Sequence, residues 1–263
     1  MAKLRSFGVL SALVAGAVAL SGAAPAQEWV TVKGQVILPK AKIPATATGD
    51  ETVTTDKAHC EAKGKLPKNV LVVNPKNDGV KNVVVSLRPD SEDRKVKFNL
   101  ALVKPELAKA APKEHVIEQP CCQFEPRMLA VRVGDTLVVK NSSPVNHNIN
   151  YGGDPPFNET LLPGGSYKMK DPFPSAGGLT TFSCGVHPWM AGRIKTFEHP
   201  YFAVTDADGK FEIKDAPAGK FRVVYNHELG LHKGAAGAAG TPATLVGPVT
   251  QLEPITLELP PQK

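Results

Sequence analysis

No stretch of this chain keeps a helical rhythm for long. Proline and glycine, 24 and 23 of them among 263 residues, punctuate it throughout, and between them lie short Val-rich runs bounded by Asn, Asp and Gly. Runs of this kind read as strands, and Pro105 to Ala111 has room for one short helix at most. The chain is therefore expected to be all-β and built from sandwich domains.

The runs can be placed. Val30 to Leu38 reads as a strand through Gly34, and Val70 to Val73 and Asn82 to Leu87 read as two more, separated by an Asn-Pro-Lys-Asn-Asp-Gly cluster. Pro89 to Glu118 is charged and irregular. From Phe124 onward Leu129, Val131 and Val133 alternate, Gly134-Asp135 turns, and Thr136 to Val139 follows as a buried-type strand. Thr180 to Ser183 forms a strand running into Cys184, and another passes through Ile194 and Phe197. Tyr201 to Thr205 and Lys210 to Ile213 flank Asp206-Ala207-Asp208-Gly209, which reads as a hairpin turn. Phe221 to Tyr225 and Ile255 to Leu259 close the series. Gly234 to Gly240 is low-complexity Gly/Ala and is expected to be a mobile loop.

Residues 1–26 have the form of a secretory signal: Lys3 and Arg5, an uncharged Phe7 to Leu20, and small residues at Ala24-Pro25-Ala26. That core is short for a membrane span, and no later stretch reaches the length required. The expectation is an exported, soluble, periplasmic chain beginning near Gln27. The formal charge of +6 includes Lys3 and Arg5. Without them, and with no acid lost alongside, it is two lower. So mild a balance allows an acidic protein partner and gives no footprint for nucleic acid.

The chemistry concentrates in Ser183-Cys184-Gly185-Val186-His187-Pro188-Trp189-Met190. A thiolate, an imidazole and a thioether sit close enough for one tight loop to aim all three at a point. Soft sulfur suits Cu(I), imidazole suits both copper states, and a His₂Cys plane with a weak axial Met is the type 1 geometry. The second imidazole is assigned to His147, which follows two strands and the loop Asn141 to Asn146. Against this stands the ordinary fate of a cysteine in an exported chain, a disulfide. With Cys184 taken as a ligand three cysteines remain. Cys60 is expected to pair with Cys122 or Cys121, leaving one thiol over.

Phe124-x-Pro126, Gly134-Asp135, Asn141 and His147-Asn148 resemble the first half of small cupredoxins such as plastocyanin and amicyanin. The Cys-x-x-His-x-x-Met spacing is similar to the short amicyanin ligand loop. The resemblance covers about residues 120–197. It implies one type 1 copper ion held by His147, Cys184, His187 and Met190. Asn148 would bond to backbone beside Cys184, and the His187 ring edge would lie at the surface among Pro188 and Trp189 as an electron port.

Phe202 to Phe211, followed by Ala216 to Phe221, resembles the second half of carboxypeptidase-regulatory-like sandwich domains, and Gly34-Gln35-Val36 with Val83 to Leu87 resembles the first half. The whole order is similar to bacterial exported proteins of the methylamine-utilisation or plastocyanin-like kind. The division expected is a signal at 1–26, half a sandwich plus an irregular linker at 27–112, a cupredoxin domain at 113–198 and the other half-sandwich at 199–263. The cupredoxin domain would thus be inserted; two or three domains in series is the alternative.

Other chemistries lack their residues. His59 and His115 stand in irregular segments. His227 and His232 are five apart, not the four that share a helical face in a zinc protease. Asp206-x-Asp208-Gly209 lacks the later ligands of a calcium loop. There is no Cys-x-x-Cys-His for haem, no His-x-His for a multicopper oxidase, no serine elbow and no phosphate loop. The expected function is not enzymatic. It is periplasmic single-electron transfer through His187 to redox partner proteins, docked weakly on the apolar ring around it. Copper carriage or storage, and an envelope binding module with a secondary copper site, are the alternatives.

Overall fold

The computed structural model describes Met1 and residues 27–261; the expected signal lies outside the described residues. The chain is all-β. Two strands come first, β1 (Trp29–Ile37) and β2 (Val84–Pro89), with the short helix α1 (Lys57–Cys60) between them. A second helix, α2 (Pro105–Ala108), falls where the sequence left room for one. Eight strands follow: β3 (Glu114–Glu118), β4 (Met128–Arg132), β5 (Thr136–Lys140), β6 (His147–Tyr151), β7 (Phe157–Leu161), β8 (Ser166–Lys168), β9 (Leu179–Ser183) and β10 (Ala191–Phe197). The rest are β11 (Phe202–Val204), β12 (Lys210–Pro217), β13 (Gly219–His227), β14 (Gly230–Leu231), β15 (Thr241–Leu245), β16 (Val249–Gln251) and β17 (Ile255–Thr256).

Strands β3 to β10 form two sheets, ordered β4-β10-β9-β6-β7 and β3-β5-β8. Their inward residues share one core: Ile117, Val131, Leu137, Val139, Ile149, Phe182 and Ile194, with Cys184 and Met190 at one end of it. Alternation explains who faces inward, since successive side chains on a strand point to opposite faces.

The remaining strands form a second pair of sheets. One runs β12-β1-β16, with β17 also on β1; the other runs β11-β2-β13-β14, with β15 on β13. Val32, Val36, Val85, Leu87, Ile213, Val223 and Tyr225 fill the core between them. Strand β2 serves two cores: Val85 and Leu87, with Val83 just before the strand, face this one, whereas Val84 packs with Met128 and Phe197 where the two sandwiches meet. There the Phe197 and Phe202 rings stack with centroids 4.6 Å apart.

Three local expectations change. Val70 to Val73 is not a strand; only Val73 bridges, to Val80. Asp206 to Gly209 does turn tightly, with Asp206 Oδ1 accepting from the backbone N–H of Asp208 and Lys210. It does not make a hairpin, because β11 pairs with β2 while β12 pairs with β1 in the opposite sheet. Gly209 makes the crossing possible: a Cβ there would lie 2.2 Å from the Val36 carbonyl oxygen. The Gly/Ala stretch Gly234–Ala239 is wound into a 3-10 helix. Arg88 holds it, Nη1 donating to the Ala239 carbonyl at 2.9 Å.

Candidate metal centre

The loop from Cys184 to Met190 joins neighbouring antiparallel strands, β9 and β10. Two backbone bonds close it: Cys184 N–H donates to the Met190 carbonyl at 3.0 Å, and Met190 N–H to the His187 carbonyl at 2.9 Å. On the other side of β9, Asn150 of β6 lies opposite Ser183. Because β6 runs antiparallel to β9, this register carries its first residues, His147 and Asn148, past the end of β9 to the loop.

The side chains converge. His147 and His187 Nδ1 lie 3.0 Å apart, and Cys184 Sγ is 3.7 Å from His187 Nδ1. One ligand atom from each of the three falls within 4.8 Å of the others. All are buried, at 0%, 3% and 0% exposure for His147, Cys184 and His187. Met190 is buried too, at 1%, in the same core cluster as Cys184.

The donor set fits a soft, thiophilic ion. Two imidazoles and a thiolate around one transition metal at ordinary bond lengths stand roughly 3.3–3.7 Å from each other, close to the separations found. Burial holds His147 down to about 4 from its ordinary 6.5, and the His187 ring beside it adds to the effect. Burial also lowers His187, against the pull of Asp56. Both rings are therefore neutral near pH 7 and each offers a lone pair. In addition, His147 Nε2 is buried without a hydrogen-bond partner.

Surrounding groups hold these side chains in place. Asn148 N–H donates to Cys184 Sγ at 3.3 Å. Its side chain accepts from Gly185 N–H at 3.0 Å and donates to Asn158 Oδ1 at 2.8 Å and to the Glu159 carbonyl at 3.0 Å. Buried Asn141 fastens the segment leading into His147 by donating to the Val145 and Leu161 carbonyls.

No protein-family model and no curated protein matches this chain. Among solved structures it is similar to a purple cupredoxin from Nitrosopumilus maritimus, at 24% identity over 32% of this chain and 99% of that one, with a TM-score of 0.28. It is also similar to an oxidised amicyanin mutant, at 25% identity over 35% of this chain and 89% of that one, TM-score 0.29. A copper-containing nitrite reductase from Thermus scotoductus SA-01 matches at 23% identity over 36% of this chain and 27% of that one, TM-score 0.32.

One expectation needs correcting. The His187 ring edge does not lie at the surface: it is wholly buried, and its Nε2 stands 3.0 Å from Asp56 Oδ2. The cover is the segment around α1, whose Val53, Cys60 and Leu66 join the same core as Cys184. Cys60 is bridged to Cys122, with Cα atoms 5.4 Å apart, and Cys121 is a free, partly exposed thiol. The bridging sulfurs lie within 4.8 Å of a His187 ring nitrogen. Trp189, half-buried, donates its indole N–H to the Cys122 carbonyl at 3.1 Å, while Pro188 and Gly185 are the exposed positions of the loop.

Three other histidines, His115, His227 and His232, have protein partners of their own. Those at 227 and 232 each accept a backbone N–H through Nδ1, from Leu229 and Glu258 respectively. His115 Nε2 pairs with Asp135 at 2.8 Å. Asp56 is the residue that sequence reasoning missed. The clue was Cys60: bridging it to the Cys121-Cys122 pair brings its neighbours to the metal loop.

Proposed function

We propose that this chain is an exported type 1 copper protein that transfers single electrons, with His147, Cys184 and His187 as the strong ligands and Met190 as the weak axial one. The convergence of two neutral imidazoles and a thiol in one buried site carries this reading. Copper there would supply a one-electron couple. The chain's own part is to exclude water and keep the ligand positions the same in both oxidation states, through Asn148, Asn141 and the closed loop. Residues 113–198 would form the copper domain, set into a second, carboxypeptidase-regulatory-like sandwich of residues 27–112 and 199–263. The pairing of β1 with β12 and of β2 with β13 supports that division.

With His187 covered, its ring cannot be the point of partner contact. Gly185 is exposed and bonded directly to Cys184, so the exposed turn at Gly185 and Pro188 replaces it as the route to redox partners.

The burial of His187 also favours a second reading, copper carriage or storage, since a sealed ligand slows metal release. Copper reconstitution of wild type beside Cys184→Ala, followed by optical and EPR spectra, tests the site. An intense visible band and a type 1 EPR signal, both lost in the variant, are expected. A wild type without a Cys184-dependent signal overturns the site. Reversible bleaching distinguishes electron transfer from a spectroscopically silent Cu(I) store that releases its metal slowly.

A further inference from the structure

We propose that Asp56 is a positioning residue of the metal centre, delivered by a disulfide-fastened cover over His187. The inference rests on the copper reading above and deepens it.

The Asp56 backbone carbonyl accepts from the His59 and Cys60 N–H groups at the start of α1, but its side chain does not serve that helix. Asp56 occupies the helix N-cap position with φ 49° and ψ 35° and makes no side-chain capping bond, although an aspartate there ordinarily accepts from the first helical N–H groups. Its carboxylate instead reaches a histidine 131 residues away. The left-handed backbone, tolerated by Asp better than by most residues, accompanies that redirection.

The contact has a chemical consequence. Carboxylate oxygens accept, so the 3.0 Å contact assigns Nε2–H of His187 as the donor to Asp56 Oδ2. That fixes the tautomer: the proton is on Nε2 and the lone pair on Nδ1, the atom facing His147 and Cys184. A carboxylate on the far nitrogen of a ligating histidine orients the ring and makes it a more basic donor. A more basic imidazole favours the higher-charged state of a bound metal.

The cover is fastened at several points. Glu51 N–H donates to the Leu66 carbonyl at 2.8 Å, drawing the ends of the segment together. Gln123 Nε2 donates to the Pro67 carbonyl at 2.9 Å, and Cys60–Cys122 ties the middle down.

The test uses the full mature chain, with Asp56→Asn, Asp56→Ala and Asp56→Glu. Histidine ¹⁵N NMR of the metal-free protein reads the tautomer; redox titration of the copper-loaded protein reads the potential. Wild type is expected to carry the His187 proton on Nε2, and Asp56→Ala to mix the two tautomers. Asp56→Asn keeps an acceptor without the charge. It should weaken Cu(II) binding about 10- to 100-fold relative to Cu(I), raising the potential by about 60–120 mV. Asp56→Glu should restore much of the difference. A loaded Asp56→Asn protein with a type 1 spectrum and an unmoved potential, together with an unchanged tautomer in Asp56→Ala, overturns this inference and leaves the copper site standing. A wild type that takes up no copper overturns both.

Discussion

Asn148 joins the two separated halves of the candidate metal centre: its Oδ1 accepts the Gly185 N–H at 3.0 Å while its own backbone N–H points at Cys184 Sγ. One residue from β6 thereby sets both the backbone after the cysteine and the sulfur itself. Asn148→Ala would remove the acceptor for Gly185 and the donor for Asn158 and the Glu159 carbonyl. Since Gly185 is exposed and water can take over part of the loss, the expected cost is about 1–2 kcal/mol, read as a shift in the urea midpoint. Asn148→Asp keeps the Gly185 bond but sets a second acceptor against Asn158 Oδ1 and the Glu159 carbonyl, and should recover none of the loss.

The Cys60–Cys122 bridge closes a loop of 62 residues. Chain-entropy arguments put the worth of such a crosslink at about 4 kcal/mol. Cys60→Ser with Cys122→Ser should lower stability by roughly that amount in denaturant titrations. It should also expose His187 to an imidazole-modifying reagent that leaves it untouched in wild type. In the native wild type one thiol, Cys121, should react quickly with a maleimide, Cys184 being buried. Two quickly reacting thiols would contradict the arrangement.

Arg127 and Glu228 bind each other across the meeting of the two sandwiches, Nε to Oε2 at 2.5 Å and Nη2 to Oε1 at 2.9 Å, with side chains 8% and 5% exposed. Arg127 also donates to Asn69 Oδ1. Removing one partner of a buried pair strands the other charge, at a cost of about 3–5 kcal/mol. Glu228→Ala should therefore destabilise strongly. Replacing both residues by apolar ones of similar volume should cost far less, a contrast that a lost surface pair would not give. Differential scanning calorimetry would show whether the two sandwiches then melt separately.

The candidate loop from Cys184 to Met190 was legible because its three potential donors are close neighbours in sequence. His147 was harder, depending on how β6 lies against β9. Asp56 was out of reach: one carboxylate among many, in a stretch without periodicity, acquires meaning only when the chain folds it over His187. The Asp206 to Gly209 turn misled for a related reason. Its local chemistry specifies a reversal, but only the packing of Gly209 against Val36 and Val80 decides that the next strand joins the opposite sheet. Strand existence is written in side-chain alternation, whereas partner choice and coverage are long-range.

Two buried histidines remote from the Cys184 loop should add to the acid sensitivity that buried His147 also brings. Burial, reinforced by Arg132, holds His199 at about 4, and burial, reinforced by Arg127, holds His227 at about 4, both from an ordinary 6.5. Each is neutral when folded and takes a proton more readily once unfolded. The unfolded state therefore gains protons as pH falls through 6.5, and stability drops until the folded rings titrate near 4. Within that window each group should cost about 1.4 kcal/mol per pH unit, with little change above it. Asp135 acts elsewhere: burial pushes its carboxyl up, but bonds from Lys113, His115 and Arg132 outweigh that and hold it below 3.8, so its share is lost only in stronger acid. His227→Asn keeps an acceptor for the Leu229 N–H and has no proton to gain. Urea titrations between about pH 6.5 and pH 4 should then show a slope shallower than wild type by up to about 1.4 kcal/mol per pH unit. An unchanged slope would mean that His227 binds protons alike in the folded and unfolded chain.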